Sequence, residues 1–110
     1  MRVKLRTRDN EWVYRWVYKD KVTAWAAHNF TGARVSYKIG DHPMNGKRGY
    51  QRNRISSIYI PPLLKVRIFK GTAFTGEEGE WRRTGEGMAY VGDWWNDKVS
   101  SMRVIKDMYA

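Results

Sequence analysis

Two stretches of this chain carry oxygen-bearing side chains at one spacing. Residues 94–104 read Trp94-Trp95-Asn96-Asp97-Lys98-Val99-Ser100-Ser101-Met102-Arg103-Val104, and residues 52–57 read Arg52-Asn53-Arg54-Ile55-Ser56-Ser57. A hard cation such as Ca²⁺ is held by several oxygens from short side chains and backbone carbonyls, and Asn-Asp-x-x-Ser-Ser supplies them from one bend. The same residue types also make ordinary turns, where Asn and Asp bend the chain and Ser hydroxyls satisfy nearby backbone groups. Turn chemistry alone accounts for either stretch taken singly. Their recurrence favours the metal.

Other chemistries are poorly supplied. There is no cysteine, hence no disulfide framework and no thiolate metal site. His28 falls at a hairpin tip and His42 beside Pro43, too few and too separated for a zinc cage or a nucleophile–base pair. Glu77, Glu78 and Glu80 read as a solvated strand face, and no phosphate-cradling glycine loop is present. No enzyme is expected. The first residues lack the apolar core of a signal peptide and no stretch approaches a membrane span, so the expected location is cytoplasmic or within a larger assembly.

The charge is uneven. The 110 residues carry a net charge of +10, with 13 Lys/Arg against 4 Asp/Glu in 1–61 and 8 against 7 in 62–110. An excess of that size in one half points to an acidic partner or polyanion on that side, or to a basic surface that is merely soluble.

The elements that must position these groups are strands. Aromatic residues are abundant and glycines punctuate the chain, which suits an all-β sandwich. Residues 2–8 alternate, with Arg2, Lys4, Arg6 and Arg8 on one face and Val3, Leu5 and Thr7 on the other. Residues 11–19 alternate again, with Trp12, Tyr14, Trp16 and Tyr18 opposing Val13, Arg15 and Val17. A β-hairpin over 1–20 follows, with a cationic outer face. Its rings are expected to lie across the body of the domain, because large aromatic patches rarely stay exposed.

From Lys21 the chain repeats itself at an offset of 44. Lys21-Val22 matches Lys65-Val66, Phe30-Thr31-Gly32 matches Phe74-Thr75-Gly76, Met44 matches Met88, and Ser56-Ser57 matches Ser100-Ser101. Conservative matches fill the interval, among them Trp25 with Phe69, Tyr37 with Trp81 and Asn53 with Asp97. No gap is needed between 21 and 60, so two copies of one motif are expected, 21–61 and 65–107, within a domain over 21–110. In each copy a hairpin turns at Phe-Thr-Gly, 21–27 into 34–39 and 65–70 into 78–83, and a strand follows the Ser-Ser pair, at 56–60 and 100–105. A fourth strand is expected before that pair or exchanged between copies. Pro61-Pro62 cannot continue a ladder and marks the joint.

Aromatic-x-x-x-x-aromatic-x-Gly, followed downstream by (Asn/Asp)-(Asn/Asp)-x-x-(Ser/Thr)-Ser, occurs twice at one spacing. This resembles the paired Greek-key motifs of a βγ-crystallin domain, in particular the microbial calcium-binding type, over residues 21–107. The resemblance implies a two-motif Greek-key β-sandwich, here with an extra N-terminal hairpin. It also implies Ca²⁺ sites shared between the motifs. The side chains of Asn53 and Asp97 and the hydroxyls of Ser56 and Ser100 would be ligands, with carbonyls from Arg54 and Lys98 and from the hairpins near His28 and Thr72. Arg52 departs from the family pattern, and Asp97 is the single anionic ligand implied. Arg52, Arg54 and Lys98 add positive charge beside it, so affinity is expected near ~10⁻⁴–10⁻³ M and at one site.

Two functions follow. One is a Ca²⁺-binding structural module in which the ion stabilises the fold. The other is a structural or docking subunit of a larger assembly, a virion included, that meets an acidic protein surface or nucleic acid through Arg2, Lys4, Arg6, Arg8 and Arg15. On that second reading, deleting 1–19 abolishes binding and leaves the body folded.

Overall fold

The computed structural model describes residues 1–43 and 54–107. Alternating residues form β1 (Arg2–Arg6) and β2 (Trp12–Trp16), an antiparallel hairpin in which Arg2 faces Trp16, Lys4 faces Tyr14 and Arg6 faces Trp12. The first repeat supplies β3 (Lys21–Ala27), β4 (Thr31–Lys38), β5 (Gly40–His42) and β6 (Ser57–Tyr59). The second supplies β7 (Leu64–Phe69), β8 (Glu78–Arg82) and β9 (Ser101–Lys106). The strands form a three-stranded sheet, β4-β3-β6, and a four-stranded sheet, β5-β9-β7-β8.

Strand exchange ties the two sheets together. β5 belongs to the first repeat yet pairs with β9 of the second, Gly40 opposite Val104 and His42 opposite Met102. The second repeat returns the exchange: the Thr84 amide donates to the Ile60 carbonyl at 3.1 Å, and Met88 forms a bridge with Ile58. The expected fourth strand is therefore an exchanged one. Its return leg is irregular because a turn, closed by Gly87 N–H donating to the Thr84 carbonyl at 3.0 Å, intervenes. The architecture is an all-β, two-motif Greek-key sandwich with an added N-terminal hairpin.

Between the sheets lies a core in which positions 44 apart share one role. Val22 with Val66, Ile55 with Val99, Ile58 with Met102 and Ile60 with Val104 are all buried in it. The folded hairpins repeat as well. Trp25 and Phe30 meet edge to face at 5.3 Å and 77°, and Phe69 and Phe74 at 5.7 Å and 76°. The tip before each turn glycine enters left-handed backbone, with φ of 58° and 61° at Asn29 and Phe30 and of 53° and 62° at Ala73 and Phe74. Gly32 and Gly76 follow at φ 82° and 77°, where a Cβ would come within 3.2 and 3.1 Å of the amide nitrogens of Ala27 and Gly71. Both the backbone and the space require glycine.

The N-terminal hairpin differs from expectation in one respect. Its small aliphatic face turns inward: Leu5 and Val17 are buried with Trp25, Phe30 and Tyr59, and Val3 and Val13 pack beside them. The rings face solvent, with Trp16 68% exposed and Tyr18 54%. The ring-inward expectation failed because the aliphatic face docks instead, while the rings of Trp12, Tyr14 and Tyr18 are roofed by a cation from β1 or a neighbouring lysine, which satisfies an exposed aromatic without burial. Among the described residues, no helix is long and apolar enough to cross a membrane.

Candidate metal centre and basic aromatic face

The two serines of each pair divide their work. The second is a strut: Ser57 Oγ accepts from the Phe30 amide at 3.1 Å and donates to the Ala27 carbonyl at 2.6 Å. Ser101 Oγ does the same for the Phe74 amide, at 3.0 Å, and the Gly71 carbonyl, at 2.6 Å. These bonds satisfy the backbone of the folded hairpin where it leaves the ladder. The first serine is tied to the sheet through its backbone, Ser56 N–H donating to the Trp25 carbonyl at 2.9 Å and Ser100 N–H to the Phe69 carbonyl at 2.8 Å. The Ser56 hydroxyl is thereby available to reach the other motif.

It reaches Asn96 and Asp97. Ser56 Oγ donates to Asn96 Oδ1 at 2.5 Å and lies 3.4 Å from Asp97 Oδ1. Asp97 stands at φ 58° and its N–H donates to the Ile55 carbonyl at 3.3 Å, so the bend is anchored to the residue before Ser56. Three oxygens from two repeats thus converge on one point. Asn96 was not among the expected ligands, although its place as the first of the Asn-Asp pair, opposite Arg52 in the other copy, was the available signal.

The remaining residues are placed as follows. The His28 carbonyl accepts from Thr31 Oγ1 at 2.6 Å, and the Thr72 carbonyl accepts from Thr75 Oγ1 at 2.6 Å, equivalent bonds at the two hairpin tips. A carbonyl oxygen has two lone pairs, so each keeps one for another partner. Lys98 Nζ lies 3.4 Å from the Asp93 carbonyl, beside the bend. Arg54 is exposed and Ser100 is buried. Asn53 and Arg52 lie outside the described residues. The His28 ring meets that of Tyr90 edge to face at 4.7 Å, and Asp93 accepts the Tyr90 hydroxyl. That bond, with burial and the negative fields of Asp93 and Asp97, raises the Tyr90 pKa, while Arg8 opposes it.

The donor set favours a hard cation. It offers a carboxamide, a single carboxylate and a hydroxyl, and among the described residues no three His, Cys, Asp or Glu side chains gather as a transition-metal site. Oxygen-only ligation with one formal charge fits weakly held Ca²⁺.

A second candidate lies on the outer face of the hairpin. The Arg2 guanidinium stands 4.2 Å from the Tyr14 ring centre, Lys4 Nζ 4.3 Å and the Arg6 guanidinium 3.9 Å from Trp12, and Lys21 Nζ 4.3 Å from Tyr18. Arg6 is also paired with Glu86 at 3.0 Å. Arg8 leaves this row for Tyr90, at 4.4 Å. Arg15 is on the opposite face, where its guanidinium donates to the Phe30 and Tyr14 carbonyls, both at 2.8 Å. Of the five expected cations, three therefore share the ring-bearing face.

No family sequence model and no curated protein sequence matches the chain. Solved structures do. The N-terminal domain of protein S is similar at 27% identity with a TM-score of 0.69, over 78% of this chain and 96% of that one. A βγ-crystallin domain from Flavobacterium johnsoniae is similar at 27% identity and 0.72, over 79% and 96%. A double mutant of clostrillin carrying two introduced histidines, in complex with nickel, matches in fold at 22% identity and 0.70, over 78% and 98%. This chain is built on a βγ-crystallin domain.

Proposed function

We infer that the protein is a non-catalytic βγ-crystallin-type module in which a weakly held Ca²⁺ braces the junction of the two motifs. The supporting observation is Ser56 Oγ of one motif, 2.5 and 3.4 Å from the side-chain oxygens of Asn96 and Asp97 of the other. A cation there would replace the serine–carboxamide hydrogen bond with ligation from both sides, and carbonyls such as that of His28 would add to the shell. Binding only to the folded state stabilises it by mass action, by roughly 1.4 kcal/mol at tenfold excess over the dissociation constant. The expected outcome is a rise of several degrees in melting temperature in millimolar CaCl₂, lost in Asp97→Ala and reduced in Ser56→Ala. A wild-type shift no larger than that given by MgCl₂ overturns the reading.

A second reading rests on the exposed cation–ring row of the N-terminal hairpin: docking to an anionic macromolecule, as in a subunit of a larger assembly. It accounts for the charge excess in the first half of the chain, to which a metal site contributes nothing. Retention on an anionic matrix that weakens steeply with salt supports it, and retention indifferent to salt overturns it.

A further inference from the structure

We propose that the outer face of the N-terminal hairpin, with the cleft at its end, is a binding site for single-stranded nucleic acid. The proposal rests on the anionic docking reading and commits it to one partner class. Trp12, Tyr14 and Trp16 occupy alternate positions of β2, so their rings project from one face about 6.8 Å apart. All three are 40% or more exposed, and Tyr18 continues the row at 54%. Four large rings on one side of a small hairpin form an apolar patch that a partner-free surface has no reason to keep.

Cations are threaded between the rings. Arg2 and Lys4 each lean over a ring of the neighbouring strand and, among the described residues, neither is in an ion pair. At the far end Trp16 and Tyr18 open into a cleft of about 590 Å³ with Lys21, Arg34, Val35 and Ser36 in its walls. Arg34 is fixed there by donating to the Trp16 carbonyl at 2.9 Å. Among the described residues Trp16 carries no cation over its ring and is the most exposed large apolar side chain, at 68%. One π-face is therefore open, with Lys21 and Arg34 beside it.

Rings that stack and cations that track phosphates are the two components of sequence-tolerant single-strand binding. A purely acidic polypeptide such as polyglutamate would use the cations and leave the rings idle. A duplex would do the same, because its base faces are already stacked. An unpaired strand uses both, with bases and phosphates repeating along one chain as the rings and cations do here. Trp16 and Tyr18 would take bases, while Lys4, Lys21 and Arg34 would meet the phosphates.

The test is a fluorescence-anisotropy titration of the full chain with a labelled oligothymidylate of roughly a dozen nucleotides, enough for site sizes of about 4–16. A duplex of equal length and polyglutamate serve as competitors. The oligothymidylate is expected to bind with a log–log salt slope near −2, about 0.7 per phosphate for three contacts. Trp16→Ala should weaken it roughly 5- to 150-fold, the loss of one stacked base, without changing that slope. Lys21→Ala should lower the slope by about 0.7. Near-UV circular dichroism of each variant confirms that the body is intact. Polyglutamate or duplex binding as tight as the oligothymidylate, or Trp16→Ala without effect, overturns the single-strand proposal and leaves the docking reading standing. Binding of none of the three overturns both.

Discussion

At the scale of single residues, the two serines of each pair have different tasks. Ser57 and Ser101 each make two hydrogen bonds that close a folded hairpin. Their replacement by alanine leaves an amide and a carbonyl unsatisfied, at about 1–3 kcal/mol each. Urea denaturation of Ser57→Ala and Ser101→Ala should show losses of that size with or without calcium, whereas the loss in Ser56→Ala should grow when calcium is added. Tyr59 offers a second test. Its burial raises the phenol pKa above the ordinary value near 10, since the ionised form would be desolvated. A raised folded-state pKa means stability that is complete below pH 10 and is lost as pH rises through the folded value. Alkaline spectrophotometric titration should therefore show late-ionising phenols, one of which Tyr59→Phe removes. The residues that meet at the junction were partly legible in the sequence. The family resemblance pointed to Asp97 and Ser56 but not to Asn96, whose counterpart in the other copy is Arg52.

At the scale of elements, alternation located β1 and β2 yet left open which face turns inward. Valine and leucine on one side and rings on the other are both apolar enough to bury. The decision came from neighbours in space: Leu5 fills the gap between Phe30 and the turn at Gly87, where an added Cβ would lie 2.6 Å from Phe30 Cζ and 3.0 Å from Leu5 Cδ2. The hairpin is thus keyed into the body, and removing 1–19 would bare Trp25, Phe30 and Tyr59. Deletion is a poor test of docking for that reason, and surface substitutions are the better one. Leu5→Ala is expected to cost about 2–5 kcal/mol in chemical denaturation and to broaden the Trp25 environment in near-UV circular dichroism. β5 was the least legible strand. Three residues, Gly40-Asp41-His42, carry no alternation of their own, and their partner lies at the other end of the domain.

At the scale of the whole molecule, the charge excess in the first half has a structural counterpart. In the second half cations are matched to carboxylates: Lys65 with Glu80, Arg67 with Glu78, Lys70 with Glu77, and Arg82 with Glu80 and the buried Asp107. In the first half, Arg6 with Glu86 is the ion pair that the described lysines and arginines make. A field so distributed would steer the first half toward any polyanion it meets, as the docking reading requires, and would be screened by salt.

The exchange of strands between repeats governs how this chain acquires its structure. Gly40–His42 closes the sheet of the second repeat, and the segment ending at Met88 closes that of the first. Each repeat is therefore an unfinished object, with a ladder that only the other can complete. Contacts so distant along the chain impose loop-closure entropy before they return any stabilisation, which places folding in the millisecond-to-second range of non-local β topologies. The two copies, alike in sequence, must fold as one cooperative event.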